Sequence, residues 1–246
     1  MINEVRSTPL ASVNFLIMNW RSMDLRAELE KILHDVGPEN IWRPVYDNDN
    51  VLLADGIADM SDARPQDIST VDFQGKTVLD LGCNFGLYSF LAKRLGARKV
   101  VGLDTNDQVI KGCQLLKAMH AVQDVYFYTA DLVNPNLPGP FDIAILINYI
   151  GKEMVRKPIT KVLDAVERVS LSTMIISLAY SYRIDKHLDG DTENLIRCYP
   201  PVYIRDGELH LIEFVHDYFR DNWSMSVISP EYEKPNDKRT LLFTRK

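Results

Sequence analysis

Short apolar runs alternate with segments of helical spacing along most of this 246-residue chain. Residues 77–81 and 100–103 are mainly apolar and rich in branched side chains, as expected for strands buried on both faces of a parallel sheet. Between them, a glycine-containing turn leads into a helix that begins near Leu87. The alternation continues with helices at 108–120 and 158–169 and strands at 125–129, 141–147 and 173–178. The pattern predicts an α/β fold with a doubly wound, mostly parallel sheet.

The last third of the chain predicts one more helix and two terminal strands. The helix is expected at 209–221 and the strands at 223–229 and 240–244, with a polar loop between the strands. The connection 180–206 before this helix is unusually long, and long connections in compact domains are often lids or binding loops. We expect it to shape the side of a binding site that receives a second ligand.

A separate helical segment precedes the sheet. After Ser22, apolar residues recur at helical spacing until Gly37 and Pro38 end the helix. Residues 41–72 are mixed in composition and rich in turn-forming residues. We therefore divide the chain into an N-terminal helical extension, 1–71, and a sheet domain, 72–246. The extension either covers a bound ligand or packs as an arm across the sheet edge.

The turn between the first two strands has the chemistry of a nucleoside site. Asp104 ends the second strand 22 residues after Gly82, about the spacing at which such folds place a carboxylate against ribose hydroxyls. The turn, Asp80-x-Gly82-x-Asn84-x-Gly86, lacks the third glycine of a dinucleotide site, and Asp80 would repel a phosphate. These residues favour a ligand with positive charge, whereas the structural alternative is a turn that merely lets a helix pack closely.

Composition narrows the choice of partners and setting. The 46% of hydrophobic residues suit one large core, and the formal net charge of −6 does not attract phosphate backbones. Cys83, Cys113 and Cys198 have neither metal-ligand nor redox-motif spacing, so no metal is expected. The apolar run at 10–20 is too short to span a bilayer. We expect a cytoplasmic protein that does not contact membranes.

The turn resembles the first motif of the class I S-adenosylmethionine-dependent methyltransferases, in which an acidic residue is followed by alternating glycines. Five residues occupy matching positions: Asp80, Gly82, Cys83, Gly86 and Asp104. Asn84 replaces the middle glycine, and Asn is the residue after glycine that best tolerates a positive φ. The resemblance implies S-adenosylmethionine as cofactor and a seven-stranded sheet of order 3-2-1-4-5-7-6 with the last strand antiparallel.

The resemblance also implies which residues contact the cofactor. The implied set is Asp80, Gly82, Cys83, Gly86, Asp104, Thr105, Asp131, Leu132 and Asn148. Asp131 would accept from the adenine amino group, although capping of the next turn is an alternative. Asn148 and Tyr149 follow the fourth strand, where they would face the transferred methyl group. Tyr149 and His187 are the candidate catalytic residues, and solvation is the alternative for a histidine in a loop.

The predicted function is therefore transfer of a methyl group from S-adenosylmethionine to an acceptor. The negative net charge and the lack of a recognisable RNA-binding module favour a small-molecule acceptor. The segment GKTVLDLGCNFG is also similar to methyltransferase-like enzymes that modify the wobble uridine of tRNA, so an RNA acceptor is an alternative. The others are a non-catalytic S-adenosylmethionine-binding regulator and a nicotinamide-dependent oxidoreductase, which would need the third glycine.

Overall fold

The computed structural model describes residues 25–57, 64–133, 139–229 and 238–246. Its strands are β1 (Val45–Tyr46), β2 (Leu52–Ala54), β3 (Thr77–Leu81), β4 (Lys99–Asp104), β5 (Val125–Thr129), β6 (Phe141–Leu146), β7 (Ser170–Ala179), β8 (Tyr182–Arg183), β9 (Ile204–Arg205), β10 (Glu208–Leu209), β11 (Trp223–Val227) and β12 (Lys238–Arg245). Its helices are α1 (Leu25–Val36), α2 (Arg64–Ile68), α3 (Leu87–Arg94), α4 (Asp107–Met119), α5 (Lys152–Val155), α6 (Thr160–Val169), α7 (Ile184–His187), α8 (Thr192–Cys198) and α9 (Leu211–Phe219). Within those ranges, no helix combines the length and the apolar character needed to cross a bilayer.

Seven strands form the central sheet in the order β5-β4-β3-β6-β7-β12-β11. The strands from β5 to β7 are parallel neighbours, and β12 runs antiparallel to both β7 and β11. Counted along the chain within this sheet, the order is 3-2-1-4-5-7-6. The predicted sheet order and the antiparallel last strand are therefore confirmed. The strand order reverses between β3 and β6, and in such sheets ligands bind beyond the carboxyl ends of the strands at that point.

Helices cover both faces of the sheet, because successive side chains of a strand point to opposite faces. Leu79 and Leu81 of β3 belong to a core that also contains residues of α6 and α9. Val78 of β3 belongs to the other core, together with residues of α3 and α4. Asp80 shares the face of Val78, and this alternation directs its side chain toward α3.

The helix α1 packs against α4 rather than against the sheet. Its residues Leu29, Ile32 and Leu33 are buried beside Val109 and Leu116. The sequence predicted α1 but not β1, β2 or α2, because elements of two, three and five residues are too short to show a periodicity. The apolar run at 10–20 lies outside the described residues.

The segment 180–206 is a folded unit, which corrects its prediction as a loop. Its strands β8 and β9 both pair with β10 in a small antiparallel sheet, and α7 and α8 lie between them in the chain. Leu188, Leu195 and Tyr199 are buried in the core that contains α9. These buried residues follow neither a helical nor a strand period, so the pattern did not reveal them.

Candidate functional site

The connection from β3 to α3 is a tight turn that depends on glycine. The backbone N–H groups of Gly82 and Cys83 both donate to the carbonyl oxygen of Leu103, each at 2.8 Å, which ties the turn to β4. Gly82 has φ +71°, and a β-carbon there would lie 2.8 Å from Cδ2 of Tyr149. Gly86, with φ +80°, caps the start of α3. Only a residue without a side chain fits beneath Tyr149 in this backbone conformation.

Asp104 is held between this turn and the start of α4. Its Oδ2 accepts from the backbone N–H of Asn84 at 3.0 Å, and its Oδ1 accepts from the backbone N–H of Asn106 at 3.1 Å. A carboxylate has about four acceptor positions, so two bonds fix its orientation and leave capacity on both oxygens. That geometry suits a ligand with two neighbouring hydroxyl groups.

Two cavities meet at the glycine turn. The smaller, here called the Asp104 cavity, has a volume of about 320 Å³. The predicted cofactor residues Gly82, Asp104, Thr105 and Leu132 line it, and so does Tyr149. Of the predicted cofactor contacts, the structure therefore brings these four together, with the predicted catalytic candidate Tyr149 beside them.

Asp80 does not face this cavity. It is 1% exposed and accepts a hydrogen bond of 2.6 Å from the hydroxyl of Ser89 on α3. Burial raises the pKa of Asp80 to about 7; the bonds from Ser89 oppose this rise and the negative charge of Asp104 adds to it. The expectation that Asp80 forms an acidic lip for the ligand is corrected: its carboxyl anchors α3 beneath the turn.

Cys83 and Asp131 also differ from simple ligand contacts. The Cys83 side chain is buried, and burial raises the pKa of its thiol well above the usual value, so it is an inert core group. Asp131 is exposed and accepts from the backbone N–H of Val133 at 3.0 Å, which is the turn-capping role considered as its alternative. Its neighbour Leu132 is 2% exposed.

The N-terminal segment forms a wall of the same cavity. The side-chain amide of Asn84 donates to the carbonyl oxygen of Asn40 at 2.9 Å, and its Oδ1 accepts from the backbone N–H of Trp42 at 3.1 Å. Asn40 and Trp42 both line the Asp104 cavity. Sequence reasoning missed these two residues, and the only signal for them was the replacement of the middle glycine by Asn84, whose φ is +46°.

The larger cavity, here called the Arg43 cavity, has a volume of about 600 Å³. It shares Trp42, Gly82 and Asn84 with the Asp104 cavity and extends between the segment 42–50 and α3. Ile147 and Asn148 line it where β6 ends. It therefore opens onto the carboxyl end of β6, beside the glycine turn.

Asn148 joins two cations at that end of β6. Its Oδ1 accepts from Nη1 of Arg64 and from Nζ of Lys238, each at 2.8 Å. The pKa of Lys238 is lowered to about 8 by burial and by the positive charges of Arg64 and Arg43. Sequence reasoning placed Asn148 in the site but missed these cations, which come from distant parts of the chain.

The two candidate catalytic residues lie in different places. Tyr149 is half-buried over Gly82, and burial together with the charges of Asp131 and Asp104 raises the pKa of its hydroxyl, which stays protonated near neutral pH. His187 lines neither cavity. Its Nδ1 lies 3.1 Å from the backbone nitrogen of Arg183 and accepts from its N–H, so this ring stabilises a local turn.

Comparisons with known proteins agree with this geometry. A family model described as a methyltransferase domain matches residues 72–214, more than half of the chain. The ribosomal protein L11 methyltransferase of Vibrio cholerae serotype O1 is 30% identical over 177 residues, which cover 64% of this chain and 57% of that protein. The protein of the same name from Colwellia psychrerythraea is 33% identical over 130 residues, covering 45% and 44%. The chain thus spans about half the length of these relatives.

A solved structure shows the same fold over nearly the whole chain. The magnesium protoporphyrin IX methyltransferase from Synechocystis PCC 6803, solved with bound S-adenosylhomocysteine, superposes with a TM-score of 0.51 at 15% identity. The match covers 94% of this chain and 99% of that one. From the family match, the sheet order and the glycine turn, the chain belongs to the class I S-adenosylmethionine-dependent methyltransferases.

Proposed function

We propose that this protein transfers a methyl group from S-adenosylmethionine to a small molecule bound in the Arg43 cavity. S-adenosylmethionine, predicted from the sequence, is the cofactor of the family to which the chain belongs. The observation that carries the proposal is the placement of Asp104, fixed by two backbone N–H groups beside a turn that only glycine allows.

The Asp104 cavity suits the adenosine half of this cofactor. Asp104 offers its remaining lone pairs to the ribose hydroxyls, and Leu132 and Tyr149 offer apolar surface to the adenine. Among the described lining residues, this cavity has a carboxylate and no lysine or arginine. Such a cavity favours a ligand whose charged groups include a sulfonium.

The cofactor supplies a methyl group on an electrophilic sulfur, and the protein has to align an acceptor with it. Gly82 and Asn148 line the Arg43 cavity, so an acceptor in that cavity lies beside the turn and the end of β6. Tyr149 keeps its proton and serves as a hydrogen-bond donor or packing surface rather than as a base.

The size of the Arg43 cavity supports a small acceptor. Its volume of about 600 Å³ lies within the range of about 300–1,000 Å³ that is usual for small-molecule sites. The segment that carries Asn40 and Trp42 closes over the turn through Asn84, which supports the covering role proposed for the extension 1–71. The same segment leaves less room for a folded RNA or protein to reach the glycine turn.

Calorimetric titration with S-adenosylmethionine, S-adenosylhomocysteine and NAD tests the cofactor. Micromolar binding of the first two and none of NAD is expected, because the turn lacks the third glycine of a dinucleotide site. The Asp104→Ala variant should bind more weakly, whereas Asp221→Ala, at a side chain that is 93% exposed, serves as the unchanged control. Binding of NAD alone would refute the proposal.

Transfer of labelled methyl groups tests the acceptor class. The protein is incubated with radiolabelled S-adenosylmethionine and three fractions of a cell extract: small molecules, RNA and protein. The proposal expects label in the small-molecule fraction. Label only in RNA or protein would reject a small acceptor, and cofactor binding without any transfer would favour the non-catalytic regulator.

A further inference from the structure

The two cavities that meet at the glycine turn differ in charge. The described lining of the Arg43 cavity includes Arg43, Lys93, Arg94 and His120 and contains no aspartate or glutamate. The described lining of the Asp104 cavity has the opposite character, with Asp104 and no lysine or arginine. The whole chain carries a formal net charge of −6, so the cationic lining is a local feature and not a reflection of the composition.

Arg43 is the cation that is built most firmly into this lining. It is 7% exposed, and its Nη2 donates to the hydroxyl of Tyr88 at 3.0 Å. Its guanidinium also lies 5.8 Å from the centre of the Tyr88 ring. The ammonium of Lys93, in contrast, is directed to the carbonyl oxygens of Ala97 and Arg98, so its role in the cavity is limited to its aliphatic stem.

Two further cations approach from the end of β6. Arg64 and Lys238 both donate to Oδ1 of Asn148, which lines the Arg43 cavity. Burial and the nearby charges of Arg64 and Arg43 lower the pKa of Lys238 to about 8. Positive charges held this close in a partly buried site repel one another, and an anionic group among them would turn that repulsion into attraction.

The rest of the cavity wall is aromatic. Trp42 and Tyr46 are 43% and 37% exposed, and both line the cavity together with Phe90. Exposed aromatic rings around a cationic end suit a ligand with a flat apolar body and one charged group.

We propose that the methyl acceptor is a small aromatic or otherwise flat apolar molecule that carries an anionic group, and that this group binds between Arg43, Lys238 and Arg64. The inference rests on the proposed function, because it assumes that the Arg43 cavity receives the acceptor. The cofactor's own methionine carboxylate is the other anion that can reach these cations, so the test has to separate the two sources.

Two matched probes separate charge from shape. 4-Fluorobenzoate and 4-fluorobenzamide have nearly the same size, but only the first is an anion. Their binding to the protein is measured by fluorine NMR, both alone and with saturating S-adenosylhomocysteine. We expect the benzoate to bind about tenfold more tightly than the amide in both conditions, since bonds to a charged partner are stronger by roughly that factor.

Variants assign this preference to the cationic group. Lys238→Met should remove the preference for benzoate, and Lys238→Arg should retain it because the charge is kept. Arg43→Lys is a second variant that keeps the charge but loses the planar group, and it should reduce the preference. Lys161→Met, on the exposed face of α6, is the control that should leave the preference unchanged.

Each failure has a different signature. Equal binding of the two probes to the unaltered protein would overturn the inference, as would an undiminished preference in Lys238→Met. If Lys238→Met weakens S-adenosylhomocysteine about tenfold while benzoate binding is absent, the cations serve the cofactor's carboxylate and the inference is also rejected. Failure of the unaltered protein to bind S-adenosylhomocysteine refutes the proposed function, and the probe titration without it still reports on the cavity.

Discussion

The buried carboxyl of Asp80 makes a quantitative prediction about stability and pH. In the folded protein, burial raises the pKa of Asp80 from 3.8 to about 7. The unfolded chain exposes this side chain, so its pKa returns to the ordinary value. The folded state therefore holds the Asp80 proton more tightly than the unfolded state. The resulting stabilisation is complete below pH 3.8 and is lost as the pH rises toward and through 7.

The size of this loss follows from the two pKa values. Each pH unit between them lowers the free energy of unfolding by about 1.4 kcal/mol, and the loss levels off above the higher value. Between pH 5 and pH 8 the loss is about 2.5 kcal/mol. The Asp80→Asn variant cannot titrate and still accepts the hydrogen bond from Ser89, so it should gain about this much stability relative to the unaltered protein over the same range.

Urea unfolding at pH 5, 6, 7 and 8 measures this difference, with the fluorescence of the buried Trp223 as a reporter. Taking the difference between variant and unaltered protein removes the titration of all other groups. Asp221→Asn is the control, because its side chain is 93% exposed and the variant should run parallel to the unaltered protein. A difference for Asp80→Asn that stays constant within about 0.5 kcal/mol from pH 5 to pH 8 would refute the reasoning.

Three further outcomes follow from the site. Asp104→Ala should weaken S-adenosylmethionine binding by about 1–3 kcal/mol in calorimetry, because ribose hydroxyls lose a charged acceptor, and an unchanged affinity would remove Asp104 from the site. Gly82→Val should abolish that binding while circular dichroism stays unaltered, since its β-carbon would meet Tyr149 at 2.8 Å; surviving affinity would show that the turn does not cradle the ligand. Asn84→Gly keeps the positive φ but removes both bonds to the segment 40–42, so trypsin should cleave at Arg43 faster, and an equal cleavage rate would contradict this link.

Local pattern was sufficient for the sheet and for part of the site. Buried parallel strands are short apolar runs, so β3 and β5 were predicted at the bounds that the structure has. Asp104 was predictable because it lies at a strand end at a fixed distance from the turn. Asp80 was misjudged because only its place in the sequence was considered, although alternation along β3 puts it on the same face as Val78, toward α3.

The parts that were not predictable depend on contacts between distant segments. Asn148 meets Arg64 and Lys238, which lie 84 and 90 residues away in the chain. No periodicity or spacing rule encodes such a meeting. His187 shows the reverse case, since its residue type suggested catalysis while its backbone contact with Arg183 shows a local structural role.

The bond between Asn84 and the segment 40–42 has a consequence for how this protein diverges from its relatives. With φ +46°, position 84 would be less strained as glycine, and the amide is useful only because Asn40 and Trp42 are there to receive it. The two features should therefore be inherited together. In a lineage that lost the N-terminal segment, nothing would retain asparagine at position 84, and glycine should return there. The residues 40–42 also precede the matched range 72–214, so the family pattern describes the turn without the part of the chain that closes over it.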